Sequence, residues 1–65
     1  MMLKGVIKSY NKDKGNGFIV PEDGGVDVFV HATDLCDKVR VSDKVCYDLE
    51  ENKLGYIAKN VMVLR

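Results

Sequence analysis

Apolar and polar residues alternate along this chain in five short stretches divided by turn-forming residues. That pattern predicts an all-β barrel or sandwich, and no stretch sustains a helical period. Residues 3–10 form the first predicted strand, and Asn11-Lys12-Asp13-Lys14-Gly15 reads as the turn after it. Residues 17–20 give a second strand ending at Pro21. Glu22-Asp23-Gly24-Gly25 is a strong turn signal, since glycine takes positive φ without steric cost. In the third strand, residues 26–31, Val26, Val28 and Val30 fall on one face and Asp27, Phe29 and His31 on the other. Val45, Tyr47 and Leu49 alternate in a fourth strand, Glu51-Asn52-Lys53 turns the chain, and residues 56–64 supply the fifth. A single helical turn is expected near Thr33-Asp34-Leu35. Asn16-Gly17 is a competing hairpin signal. The turn at 11–15 is preferred because Asn16, Phe18 and Val20 then alternate with Gly17 and Ile19. The predicted core is Ile7, Ile19, Val28, Val30, Val45, Leu49 and Val61.

The same alternation has a consequence for the surface. With Ile19, Val28 and Val30 inside, Phe18, Phe29 and His31 point outward together, with Lys8 and Lys14 near them. Aromatic faces stack bases, and lysines follow a phosphate backbone. Rings left in water also fit burial under a loop or in a dimer interface, and the pattern leaves both readings open.

With 65 residues the chain is expected to form one domain, residues 1–65. A domain of this size buries only roughly 60% of its unfolded surface, which leaves little room for a deep active site. Ten basic and ten acidic side chains cancel, but unevenly. Residues 1–20 and 52–65 are each net +3, and residues 21–51 are net −6. Pairing of the two ends would make one side basic and the other acidic, although such charges commonly do no more than solvate a surface. No signal peptide or membrane span is visible, so a soluble cytoplasmic protein is expected, with Cys36 and Cys46 reduced and unbridged. His31 is the one histidine and has no evident orienting partner, which argues against an enzyme. Two cysteines ten residues apart do not suggest a zinc site, and no cofactor motif is present.

Lys14-Gly15-Asn16-Gly17-Phe18-Ile19 resembles the first ribonucleoprotein motif of the cold-shock domain family, usually Lys-Gly-Phe-Gly-Phe-Ile. Val28-Phe29-Val30-His31 matches the second motif without change. Lys4-Gly5-Val6-Ile7-Lys8-Ser9-Tyr10-Asn11 resembles the family's opening strand, and Gly55-Tyr56-Ile57-Ala58-Lys59-Asn60-Val61 its closing one. The resemblance therefore spans nearly the whole chain. It implies a five-stranded antiparallel OB-fold barrel whose second and third strands bind single-stranded RNA or DNA. It also implies a role as an RNA chaperone or a regulator of transcription or translation, under cold stress. The residues expected at the nucleic acid are Lys8, Lys14, Phe18, Asp27, Phe29, His31 and Lys59.

The departures from the family pattern fall on the binding face. Ser9 stands at a usual tryptophan, and Asn16 and Ala32 stand at usual phenylalanines. Tyr10 takes the place of a mainly buried phenylalanine, and Tyr56 replaces a proline, restoring some aromatic surface. The segment between His31 and Val45 is shorter than the family norm and lacks its usual aromatic. Each stacked base is worth about 1–3 kcal/mol, so weakened affinity is expected. The alternative is a protein-interaction or dimerisation module that keeps the barrel and has lost most nucleic-acid binding. A strained hinge at the shortened segment would favour a domain-swapped homodimer over a monomer.

Overall fold

The computed structural model describes residues 2–64; Arg65, counted above with the basic closing segment, lies outside them. The strands are β1 (Met2–Asn11), β2 (Asn16–Pro21), β3 (Val28–His31), β4 (Lys44–Asn52) and β5 (Gly55–Val63), with one 3₁₀ turn at Ala32–Asp34. The first hairpin turns at Asn11. Its side-chain carbonyl accepts the N–H groups of Asp13 (2.9 Å) and Lys14 (3.1 Å), a local turn that leaves the Asn16-Gly17 signal inside β2. Gly15 closes the turn at φ 70°, a conformation that glycine adopts without strain. Gly17 serves a different purpose: a Cβ there would collide with the Ser9 carbonyl oxygen, so only glycine lets β1 and β2 approach so closely.

The strands close in the order β1-β2-β3-β5-β4. Four of the five seams are antiparallel, and β3 and β5 run parallel through Phe29 and Ile57. The expected wholly antiparallel barrel is therefore corrected to a mixed one. The reason is parity: strand direction cannot alternate around a closed ring of five. The basic ends of the chain do not pair with each other either, because β4 lies between β1 and β5.

Two bulges set which side chains reach the core. In β1 the register slips between Ile7 and Ser9, leaving Lys8 as the extra residue and placing Ser9 opposite Phe18. In β5 it slips between Lys59, opposite Asp48, and Met62, opposite Cys46. Asn60 takes φ 52° there, and its amide donates to Asp48 Oδ2 at 3.0 Å. The inserted residue shifts the alternation by one, so Val61 is buried after Ala58 instead of Asn60.

The core consists of Ile7, Ile19, Val28, Val30, Val39, Val45, Tyr47, Ala58 and Val61. Six of the seven predicted positions are among them. Leu49 is not, at 42% exposed. The described pairing of β1 with β4 ends at Met2 and Asp48, so from Leu49 onward β4 leaves the barrel wall as a two-stranded hairpin with β5. Val26, expected on the inner face of the third strand, is 70% exposed because β3 begins only at Val28. Tyr10 packs partly buried against the core, as expected. Cys36 is exposed, Cys46 half-buried, and both are unbridged.

Tyr47 is wholly buried, and its hydroxyl has no hydrogen-bond partner among the described residues. Burial, followed by the negative charge of Asp23, pushes its phenol above the ordinary tyrosine range. The shortened segment after the 3₁₀ turn is tied down along its length. Cys36 N–H donates to Val61 O (2.8 Å), Val63 N–H to Asp37 Oδ2 (3.0 Å), and Ser42 N–H to Ile7 O (2.8 Å).

Candidate nucleic-acid interface

Three short antiparallel steps build the face. Ile19 lies opposite Val28 in the core, so the next outward pair is Phe18 against Phe29, and the one beyond is Asn16 against His31. The phenylalanine rings meet edge to face, with centroids 5.7 Å apart and planes at 74°. This is the favoured geometry for two quadrupoles. Phe18 is 42% exposed and Phe29 half-buried. His31 is exposed, and its ring is clamped by Thr33: the backbone N–H of Thr33 donates to Nδ1 (3.3 Å) and its hydroxyl lies 3.0 Å from the same nitrogen.

The predicted cations differ in their freedom. Lys8 pairs with Asp27 at 2.8 Å, which joins two of the expected residues to each other. Asp27 precedes β3 and was expected within it. Lys59 pairs with Asp34 at 3.3 Å, beside the 3₁₀ turn that follows His31. Lys14 forms no ion pair with another described residue. Lys8 and Lys59, from the basic ends of the chain, thus each meet an acidic group of its middle. The Lys59–Asp34 pair is part-buried, whereas the Lys8–Asp27 pair is exposed; such surface pairs are worth only about 0–1 kcal/mol, so an incoming phosphate displaces that one at little cost.

A feature beyond the prediction lies at the Phe18 end. Phe18, Phe29, Leu54, Tyr56 and Ile57 line an apolar cleft of about 320 Å³. Leu54 is 98% exposed at the tip of the β4–β5 hairpin, and Tyr56 is 37% exposed. Tyr56 therefore does extend the aromatic surface. Leu54 and Ile57 were missed because only the parallel β3–β5 seam brings them to Phe29. Ser9 faces Phe18 from β1, and toward the other end Asn16 faces His31 and Ala32 lies against Gly15. The three ringless positions all border the aromatic row. Among the described residues no group of acidic, cysteine and histidine side chains could hold a metal, and no helix is long and apolar enough to cross a membrane.

A closed five-stranded barrel that displays an aromatic row between lysines is an oligonucleotide-binding barrel in architecture. Comparison with known proteins is specific. The family model described as the "'Cold-shock' DNA-binding domain" matches residues 3–64. A cold shock-like protein of Aquifex aeolicus is 44% identical, the match covering 98% of this chain and 97% of that protein. Cold shock-like protein CspG of Escherichia coli is 39% identical, covering 95% of this chain and 94% of the relative. Among solved structures, the Drosophila Unr CSD456 chain superposes with a TM-score of 0.84 over 100% of this chain and 27% of that longer one. At 20% identity that likeness establishes the fold alone. The chain belongs to the cold-shock domain family, and it is a single-stranded nucleic-acid-binding domain.

Proposed function

We propose that this chain, as a single domain over residues 1–65, holds a short run of RNA or DNA bases on Phe18, Phe29 and His31. Tyr56 widens the platform, and Lys8, Lys14 and Lys59 meet the phosphates. Asp27 keeps Lys8 at the edge of the row. The observation that carries this reading is the exposed Phe18–Phe29 pair opening onto the Tyr56 cleft, an apolar surface that gains nothing from contact with water. Affinity is reduced relative to a face with rings at positions 9, 16 and 32, since each base stack is worth about 1–3 kcal/mol. The biological setting is cytoplasmic, as an RNA chaperone or a regulator of transcription or translation under cold stress. The chain acts by binding and catalyses no reaction.

Titration of a fluorescent pyrimidine-rich oligonucleotide at two salt concentrations tests this. Saturable binding that weakens with salt is expected, and absence of binding to any single strand at low salt refutes it. A second reading, a protein-interaction or dimerisation module, draws on a different surface. Val6 and Val20 are paired across β1 and β2 and remain more than one-third exposed, as do Met62 and Leu64. Light scattering over a wide concentration range separates a monomer from a dimer, domain-swapped or otherwise.

A further inference from the structure

The nucleic-acid face leaves Tyr47 unused. Its side chain is wholly buried, and its hydroxyl has no hydrogen-bond partner among the described residues. A phenol offers one donor and two acceptor sites, and buried groups of this kind are nearly always paired. Tyr47 lines a cavity of about 300 Å³, formed where β1 begins and β2 ends. The Asp23 charge reaches the phenol, so the hydroxyl end of the ring is turned toward this cavity. Met2, Leu3 and Pro21 give the cavity an apolar wall, and Lys4, Glu22 and Asp23 complete its lining. Two carboxylates against one ammonium leave it net −1. Lys4 and Glu22 sit beside each other, with the Glu22 N–H donating to the Lys4 carbonyl at 2.8 Å, and carry opposite charges. The uncompensated group is Asp23. Its Oδ1 accepts the Gly25 N–H at 3.0 Å, and its carboxylate forms no ion pair with a described residue. A hydrocarbon wall, an unpaired buried hydroxyl and a free carboxylate together fit a cation that carries an alkyl chain. A bare metal ion would leave the wall wet, and an anion would meet Asp23. A lone water would answer the hydroxyl but neither the wall nor the charge.

We propose that this cavity binds a short primary alkylammonium ion, its chain against Met2, Leu3 and Pro21 and its N–H groups donating to the Asp23 carboxylate and the Tyr47 hydroxyl oxygen. The site lies apart from the Phe18–Phe29 row and does not depend on the base-stacking reading.

The test titrates n-butylammonium chloride into the isotope-labelled protein at constant ionic strength and follows amide chemical shifts. Saturable shifts centred on Leu3, Glu22 and Tyr47 are expected. n-Butanol supplies the chain without the charge, and ammonium chloride the charge without the chain; each is expected to bind about tenfold more weakly or worse. Tyr47→Phe is expected to weaken n-butylammonium binding by about tenfold, the scale of one hydrogen bond to a charged group. Asp23→Asn is expected to weaken it by a similar factor, and it keeps an oxygen for the Gly25 N–H, so the turn persists. The amide spectrum of each variant reports its fold, and either folded variant decides the matter. Shifts that rise without saturating or centre elsewhere overturn the proposal. So does an unchanged affinity in either folded variant. Binding of n-butanol, ammonium or magnesium chloride as tight as that of n-butylammonium overturns it equally.

Discussion

The two ends of the binding face are built from opposite materials. At one end Phe18, Phe29 and Tyr56 surround an apolar cleft, and the nearby Lys8 is neutralised by Asp27. At the other, Asn16 and Ala32 present no ring, while Lys12, Lys38 and Arg40 stand without ion pairs to described residues. Stacking is short-ranged and tolerant of salt, whereas phosphate attraction falls as counterions compete. One small barrel thus divides its grip on a strand between an apolar end and an electrostatic end, and each answers to a different perturbation.

The most severe test of that division removes the apolar end. The double variant Phe18→Ala, Phe29→Ala is expected to lose two stacks of about 1–3 kcal/mol each, which brings binding close to background. Phe29→Ala alone costs about 1–3 kcal/mol in binding, measured by titration at fixed salt. It also loses the edge-to-face contact, about 0.5–1.5 kcal/mol of stability, readable as a lower chemical-denaturation midpoint. Residual affinity above background in the double variant would show that the electrostatic end holds a strand unaided.

Restoring a ring at the ringless end comes next. Asn16→Phe places an aromatic directly opposite His31, and an affinity gain of about 1–3 kcal/mol is expected, with the salt dependence unchanged. No gain would mean that the strand leaves the face before it reaches His31.

Smaller effects separate the cations. Lys14→Ala is expected to reduce the slope of log affinity against log salt by about 0.7, the value of one phosphate on a single strand. Lys8→Ala reduces it less, because binding there exchanges Asp27 for a phosphate. Asp27→Asn, which releases Lys8, strengthens binding at low salt. Equal slopes for Lys8→Ala and Lys14→Ala would refute the claim that the Lys8–Asp27 pair persists in solution.

The smallest effect on strand binding is expected from Tyr47→Phe, a change inside the barrel away from both ends. Its consequence is for stability. The folded phenol holds its proton above the ordinary value of 10.0, so above that pH the unfolded chain releases a proton that the native one retains. Native stability is full below that pH and falls as pH rises toward the folded value. Tyr47→Phe abolishes that alkaline loss. It also removes a buried hydroxyl without a described partner, which raises neutral-pH stability by about 1 kcal/mol. Denaturation midpoints at neutral and alkaline pH measure both effects.

Much of this was legible in the chain because β structure writes its two faces into alternate residues. Val28-Phe29-Val30-His31 needs no tertiary information to show which side chains face out, and Asn11 with Gly15 names its turn by local hydrogen bonding alone. Leu49 shows the limit. It alternates correctly with Val45 and Tyr47, yet it is exposed, since strand length says nothing of where a neighbouring strand stops. The same limit hid Leu54 and Ile57 from the site.

The sequence by itself determined the strands, six of the seven predicted core positions and the outward row Phe18, Phe29 and His31, because each follows from neighbours a few residues apart. Only the tertiary structure decided the parallel β3–β5 seam, the Asn60 bulge that buries Val61, and the pairing of Lys8 with Asp27 and Lys59 with Asp34. Those features depend on how a ring of five strands closes. The seam and the ion pairs join residues 19 to 28 positions apart and the bulge sets Asn60 against Asp48, 12 positions away, separations over which no local periodicity carries a signal.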